Sequence, residues 1–157
     1  MKVERQRDHE CLLATMAALS GARLEDVRVN ACRLAGIETW TEIRGKTELF
    51  WDVAEQVAMA LGGVNLWSMV GRGAARGEVP GATVTRLEIY NMRRLPVKGR
   101  GTVSFRRTRR GGKVTSHIMP WKDGIIYDPE HPDTPRTLAE YRRKDRRFKL
   151  FIVTLEA

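Results

Sequence analysis

Apolar positions follow a helical rhythm in the first third of the chain and an alternating one in the last third, with glycines at the breaks. Residues 10–19 are mostly apolar and run into Ser20-Gly21, a normal helix stop. From Leu24 to Ala35 the apolar positions are Leu24, Val27, Ala31, Leu34 and Ala35, and Gly36 follows. Residues 46–61 carry Leu49, Phe50, Val53, Val57 and Leu61 on one stripe before Gly62-Gly63. Spacings of three and four place each set on one face, so three helices are predicted.

The rhythm then changes. Residues 64–70 read as a strand and 71–81 as a glycine-rich loop. Residues 100–107, 113–121, 125–127 and 148–155 are rich in branched and aromatic side chains, the pattern of strands. Arg109-Arg110-Gly111-Gly112 and Lys122-Asp123-Gly124 supply turns, and residues 137–144 read as a short helix before the last strand. Helices first and strands second predict an α+β fold, with N-terminal helices packed on a C-terminal antiparallel sheet. A chain of 157 residues fits one domain, 1–157, with a sizeable core.

Composition narrows the class. At 42% hydrophobic and 30% charged residues the chain reads as globular, not disordered. No stretch approaches the roughly 20 apolar residues of a membrane span. The opening MKVERQRDHE is charged where a secretory signal carries its apolar segment, so a cytoplasmic location is expected. Cys11 and Cys32 are too few for a disulfide scaffold and lack zinc-site spacing; free thiols are expected, with Cys32 a structural residue inside the second helix. The net charge of +9 is uneven: residues 1–92 hold 11 basic and 12 acidic side chains, residues 93–149 hold 17 and 6. Such a basic half suits an anionic partner, nucleic acid, an acidic protein or a membrane surface, and equally a solvated face.

Two strings carry the candidate chemistry. In QRDHECLLATMAALSG, Cys11 opens an apolar helix, where free backbone N–H groups and the helix dipole favour a thiolate and can hold an oxyanion. Gln6, just upstream, offers a side-chain amide as a second donor. In SHIMPWKDGIIYDP, residues 116–129, Asp123-Gly124 suits a two-residue type I′ hairpin turn. That register sets Met119 opposite Asp128 and makes His117 and Asp128 diagonal neighbours on one face, where the carboxylate can orient the imidazole. A three-residue turn would put them on opposite faces. Trp121 shares the His117 face in the two-residue register and is expected to wall the site. His9, two residues before Cys11, is a competing candidate for the base but lacks an orienting partner and is read as solvent-facing; His131 is read as structural or exposed. The run 141–147 reads as a charged helix face. Gly71, Gly73 and Gly77 lack the spacing of a dinucleotide fingerprint.

Together these strings resemble the papain-like cysteine peptidases: a Gln, a Cys opening an apolar helix, a distant strand His and an Asp-Pro. The closest branch is the group similar to bacteriocin-processing, double-glycine leader peptidases, including small stand-alone bacterial and phage forms. GRGTVSF and SHIMPWKDGIIYDP sit where that group carries its catalytic sheet. The resemblance implies Cys11 as nucleophile, His117 as base, Asp128 as orienting group and Gln6 in the oxyanion hole, with no metal or organic cofactor. Two positions depart from the family pattern. Gln6 precedes Cys11 by five residues where the family usually has six, and Leu12 stands where many relatives have Gly.

The expected function is therefore a cysteine hydrolase, a peptidase on a protein or peptide substrate, cleaving an amide or isopeptide bond. Two alternatives stay open: a non-catalytic papain-like fold that binds an anionic partner, and a glutamine deamidase effector.

Overall fold

A computed structural model describes residues 1–61, 82–85, 94–108, 111–112, 114–144 and 149–155. The strand expected at 64–70 and the glycine-rich loop at 71–81 lie outside the described residues.

Three helices come first: α1 (Cys11–Ser20), α2 (Leu24–Ala35) and α3 (Thr47–Ala60), with a 3-10 turn at Trp40–Ile43 between the last two. Gly36 ends α2 with φ of 67°, a left-handed conformation that a residue with a Cβ adopts only at a cost. Glu25 and Asp26 occupy the first turn of α2 and Arg33 its last, each matched to the nearer end of the helix dipole. Helix α1 has no polar face, and seven of its ten residues are buried. A helix apolar all round must be covered all round, and α2, α3 and the sheet cover it.

The sheet contains β1 (Ala82–Thr85), β2 (Arg100–Thr108), β3 (Val114–Lys122), β4 (Ile125–Ile126), β5 (Arg136–Thr137) and β6 (Lys149–Leu155). Their order is β1-β6-β2-β3-β4-β5 and every pairing is antiparallel. A short helix, α4 (Leu138–Lys144), lies between β5 and β6. The fold is α+β, as the order of elements predicts. Strand β1 and the pair residues of β5 are additions to that prediction.

Strand alternation assigns neighbouring side chains of β3 to two cores. Ile118 joins the helical core with Leu13, Met16, Val27, Trp40 and Val53. Met119 and Trp121 join a second core with Leu95, Val103, Phe105, Ile126, Leu138 and Tyr141. Trp121 is fully buried there, so it packs the sheet instead of walling an open site. Helix α1 is tied down at both ends of its contact: the buried Thr15 hydroxyl donates to the Ile118 carbonyl at 3.2 Å, and Arg100 donates to the Leu19 carbonyl at 2.8 Å.

Candidate functional site: a cysteine, a histidine and an aspartate at the helix–sheet junction

The β3–β4 hairpin sets the histidine–aspartate geometry. Asp123 and Gly124 have φ of 50° and 82°, both positive as a type I′ turn requires. Lys122 then faces Ile125, and Trp121 faces Ile126. Asp123 is fixed from outside by exchange with Gly99, its N–H donating to the Gly99 carbonyl and its Oδ1 accepting from the Gly99 N–H. Continuing the register puts Asp128 opposite Met119 and diagonal to His117, whose Nε2 lies 2.8 Å from Oδ1.

Asp128 is buried, yet each oxygen has a donor. The Glu130 N–H reaches Oδ1 at 2.9 Å and the Tyr141 hydroxyl reaches Oδ2 at 3.0 Å. Burial alone would raise its pKa, but His117, the Glu130 N–H and Tyr141 hold it below the ordinary carboxylate value. Asp128 is therefore an acceptor, and Nε2 of His117 must carry the proton between them. For His117, burial opposes the charged ring; the hydrogen bond to Asp128 and the interaction with the Cys11 thiol outweigh it and push the ring up to about 10. Cys11, half-buried at the first position of α1, is thus brought to His117.

The approach to Cys11 is built with care. Residues 7–10 turn back on themselves, with Glu10 N–H donating to the Arg7 carbonyl and Arg7 N–H to the Glu10 carboxylate. His9 adopts φ of 63°, a left-handed conformation costing on the order of 1 kcal/mol in a non-glycine residue. Glu10 is buried and paired with Arg28 of α2, which offsets the burial that would otherwise raise its carboxyl, and its pKa falls. Removing Arg28 would strand the buried Glu10 carboxylate, a loss of about 3–5 kcal/mol, whereas Arg28 keeps a second partner in Glu25. The Glu10 side chain does not cap the start of α1, and among the described residues no side chain accepts from the first N–H groups beside Cys11.

Gln6 is held beside the residue that follows Asp128. Its N–H donates to the Pro129 carbonyl at 2.9 Å, which ties the segment before Cys11 to the residue after Asp128. Its Oε1 is buried and has no hydrogen-bond partner among the described residues. Leu12, the other departure from the family pattern, points into the helical core and is 3% exposed. Its side chain is spent on packing.

The remaining histidines stand apart. The His9 ring accepts from Arg44, and its carbonyl accepts from Trp40 Nε1 at 2.9 Å. His131 is exposed in the loop after Asp128. Cys32 is buried, and burial pushes its thiol up, with Glu10 adding to the shift. It lines a cavity of about 540 Å³ between α2 and the Trp40 turn, with Arg28 and Glu10. As for metals, ligand atoms of His117, Asp128 and Glu130 lie within 4.8 Å of one another. Two of those three already satisfy each other, and Asp128 also serves Tyr141, so this set fits a hydrogen-bonded relay better than a coordination shell.

Tyr141 and Thr15 are the residues that sequence reasoning did not place in the site. Each had a signal: Tyr141 follows Leu138 by three in a mostly polar segment, and Thr15 is a hydroxyl inside an apolar helix one turn after Cys11. Among the described residues no helix is long and apolar enough to cross a membrane. No family model matches the chain, and no curated protein or solved structure matches it significantly.

Proposed function

We propose that the chain is a papain-like cysteine hydrolase that cleaves an amide or isopeptide bond of a protein or peptide substrate. The observation that carries this reading is the row Asp128–His117–Cys11 ending at the start of an apolar helix. Asp128 fixes the imidazole with Nε2 protonated, which leaves Nδ1 to exchange a proton with the thiol. Cys11 sulfur adds to the carbonyl carbon, and the oxyanion is met by the Cys11 N–H and the Gln6 amide. His117 then protonates the leaving amine, and the acyl group stays on sulfur. Water, deprotonated by His117, attacks the thioester; the acid leaves and the thiol is restored. The chemistry closes without a metal or organic cofactor.

The test is alkylation of Cys11 by iodoacetamide across pH, with Cys32 as internal control. Cys11 is expected to react at least tenfold faster than Cys32 at pH 6, and His117→Ala to abolish the difference. Equal rates for the two thiols in both proteins would remove the reading. A gain of about one dalton in a target protein, without cleavage, would redirect it to deamidation by the same acyl-enzyme.

A second reading is favoured by the 17 basic against 6 acidic residues at 93–149: a fold of this kind that binds an anionic partner without turnover. It predicts binding to DNA, RNA or an acidic protein that weakens steeply with salt and survives Cys11→Ala.

A further inference from the structure

Both oxygens of Asp128 are occupied, and the donor on Oδ2 comes from an element outside the hairpin. Tyr141 lies on α4, a helix of seven residues. The start of that helix is well anchored. Thr137 and Glu140 form a reciprocal cap: the Thr137 N–H donates to the Glu140 carboxylate at 2.6 Å, and the Glu140 N–H donates to the Thr137 hydroxyl at 3.3 Å. Leu138 is buried in the sheet core. The Tyr141 ring stacks on Phe105 with centroids 5.5 Å apart, and Phe105 is the cross-strand partner of His117. The Arg136 guanidinium sits 5.7 Å from the centroid of the same ring.

Resting on the reading of Cys11, His117 and Asp128 as one reacting unit, we infer that Tyr141 is its positioning residue: the hydroxyl locks Oδ2 of Asp128 and so keeps Oδ1 on His117. A carboxylate held at Oδ1 alone can rotate about its Cα–Cβ and Cβ–Cγ bonds. Held at both oxygens by donors on two different elements, it cannot, and the imidazole inherits that rigidity. Burial and the neighbouring Asp128 raise the Tyr141 pKa, so the hydroxyl keeps its proton and remains a donor. The groups facing this carboxylate are His117 from β3, the Glu130 N–H from the following loop and Tyr141 from α4, with Cys11 beyond His117 and Arg136 beyond Tyr141.

The experiment uses the full chain and Tyr141→Phe, which keeps the ring and its stack. Two quantities are read: the Asp128 carboxyl titration by carbon-13 NMR, and the Cys11 alkylation rate in a cycle with Asp128→Asn. Loss of a donor to the ionised carboxyl is expected to raise the Asp128 midpoint by about one pH unit. Tyr141→Phe is expected to slow Cys11 alkylation roughly tenfold alone and to have no further effect once Asp128 is Asn. An unmoved midpoint, or the same fold-loss in both backgrounds, overturns the inference and makes Tyr141 a packing residue. Failure of the underlying reading looks different: His117→Ala would leave the Cys11 rate unchanged, while the carboxyl midpoint would still respond to Tyr141→Phe.

Discussion

At the scale of single residues, the protonation of His117 is the most informative quantity. Its ring is driven up to about 10 in the folded chain by Asp128 and Cys11 despite burial, against about 6.5 for an ordinary histidine. A raised pKa means that the folded state holds the proton more tightly than the unfolded one. The resulting stabilisation is complete below about pH 6.5 and is lost as pH rises through about 10. The unfolding free energy of the wild type should therefore decline across that window relative to His117→Ala. Urea unfolding at stepped pH measures it; parallel curves for the two proteins would show that the ring is not coupled to folding. Asp128 acts with the opposite sign: its lowered pKa contributes above the ordinary carboxylate range and is lost as pH falls through the folded value. The pairing of these two residues was legible for one of the two turn lengths the sequence allows: Asp123-Gly124 suits a two-residue turn, and the positive φ of both residues is what that turn adopts. The third partner of Asp128 was not. Tyr141 opens a run of basic residues, and the charges that follow it hide the three-residue spacing to Leu138 that marks the buried face.

At the scale of elements, α1 has two duties that its sequence states only in part. Its apolar character predicts burial and its glycine stop predicts its length, but neither says which strand it packs on. One specific contact to that strand is Thr15, whose hydroxyl meets the Ile118 carbonyl one residue along from His117. The bond fixes α1 against β3 and so sets where Cys11 stands relative to the imidazole. Thr15→Val keeps the shape and removes the donor. It should cost about 1–3 kcal/mol of stability and slow Cys11 alkylation, while Ser restores both. Chemical denaturation together with the alkylation rate checks this; a variant as stable and as reactive as wild type would reduce Thr15 to filler. The short strands were hidden for a related reason. Ala82–Thr85 and Arg136–Thr137 are too brief to show a rhythm, and they are defined by partners far away in sequence, β6 for the first and β4 for the second. Local pattern predicts an element only when the element is long enough to carry one.

At the scale of the molecule, the site lies where two cores meet, and this couples its integrity to the whole fold. Ile118 belongs to the helical core, whereas Met119 and Trp121, on the same strand, belong to the sheet core. The Gln6–Pro129 hydrogen bond and the Arg100–Leu19 hydrogen bond cross the same junction from either side. Neither core can open without exposing one face of β3, so separating the helices from the sheet would strand buried apolar surface on both. The described residues should consequently unfold together. In native-state hydrogen exchange the slowest amides of α1 and of β3 should open with the same free energy and the same denaturant dependence. If the helical core opened at a distinctly lower free energy than the sheet, Cys11 would leave His117 in a partly unfolded state, and the junction would act as a hinge. A shared opening instead means that the row from Asp128 to Cys11 is held as long as the chain is folded, which is what a preorganised thiol site requires.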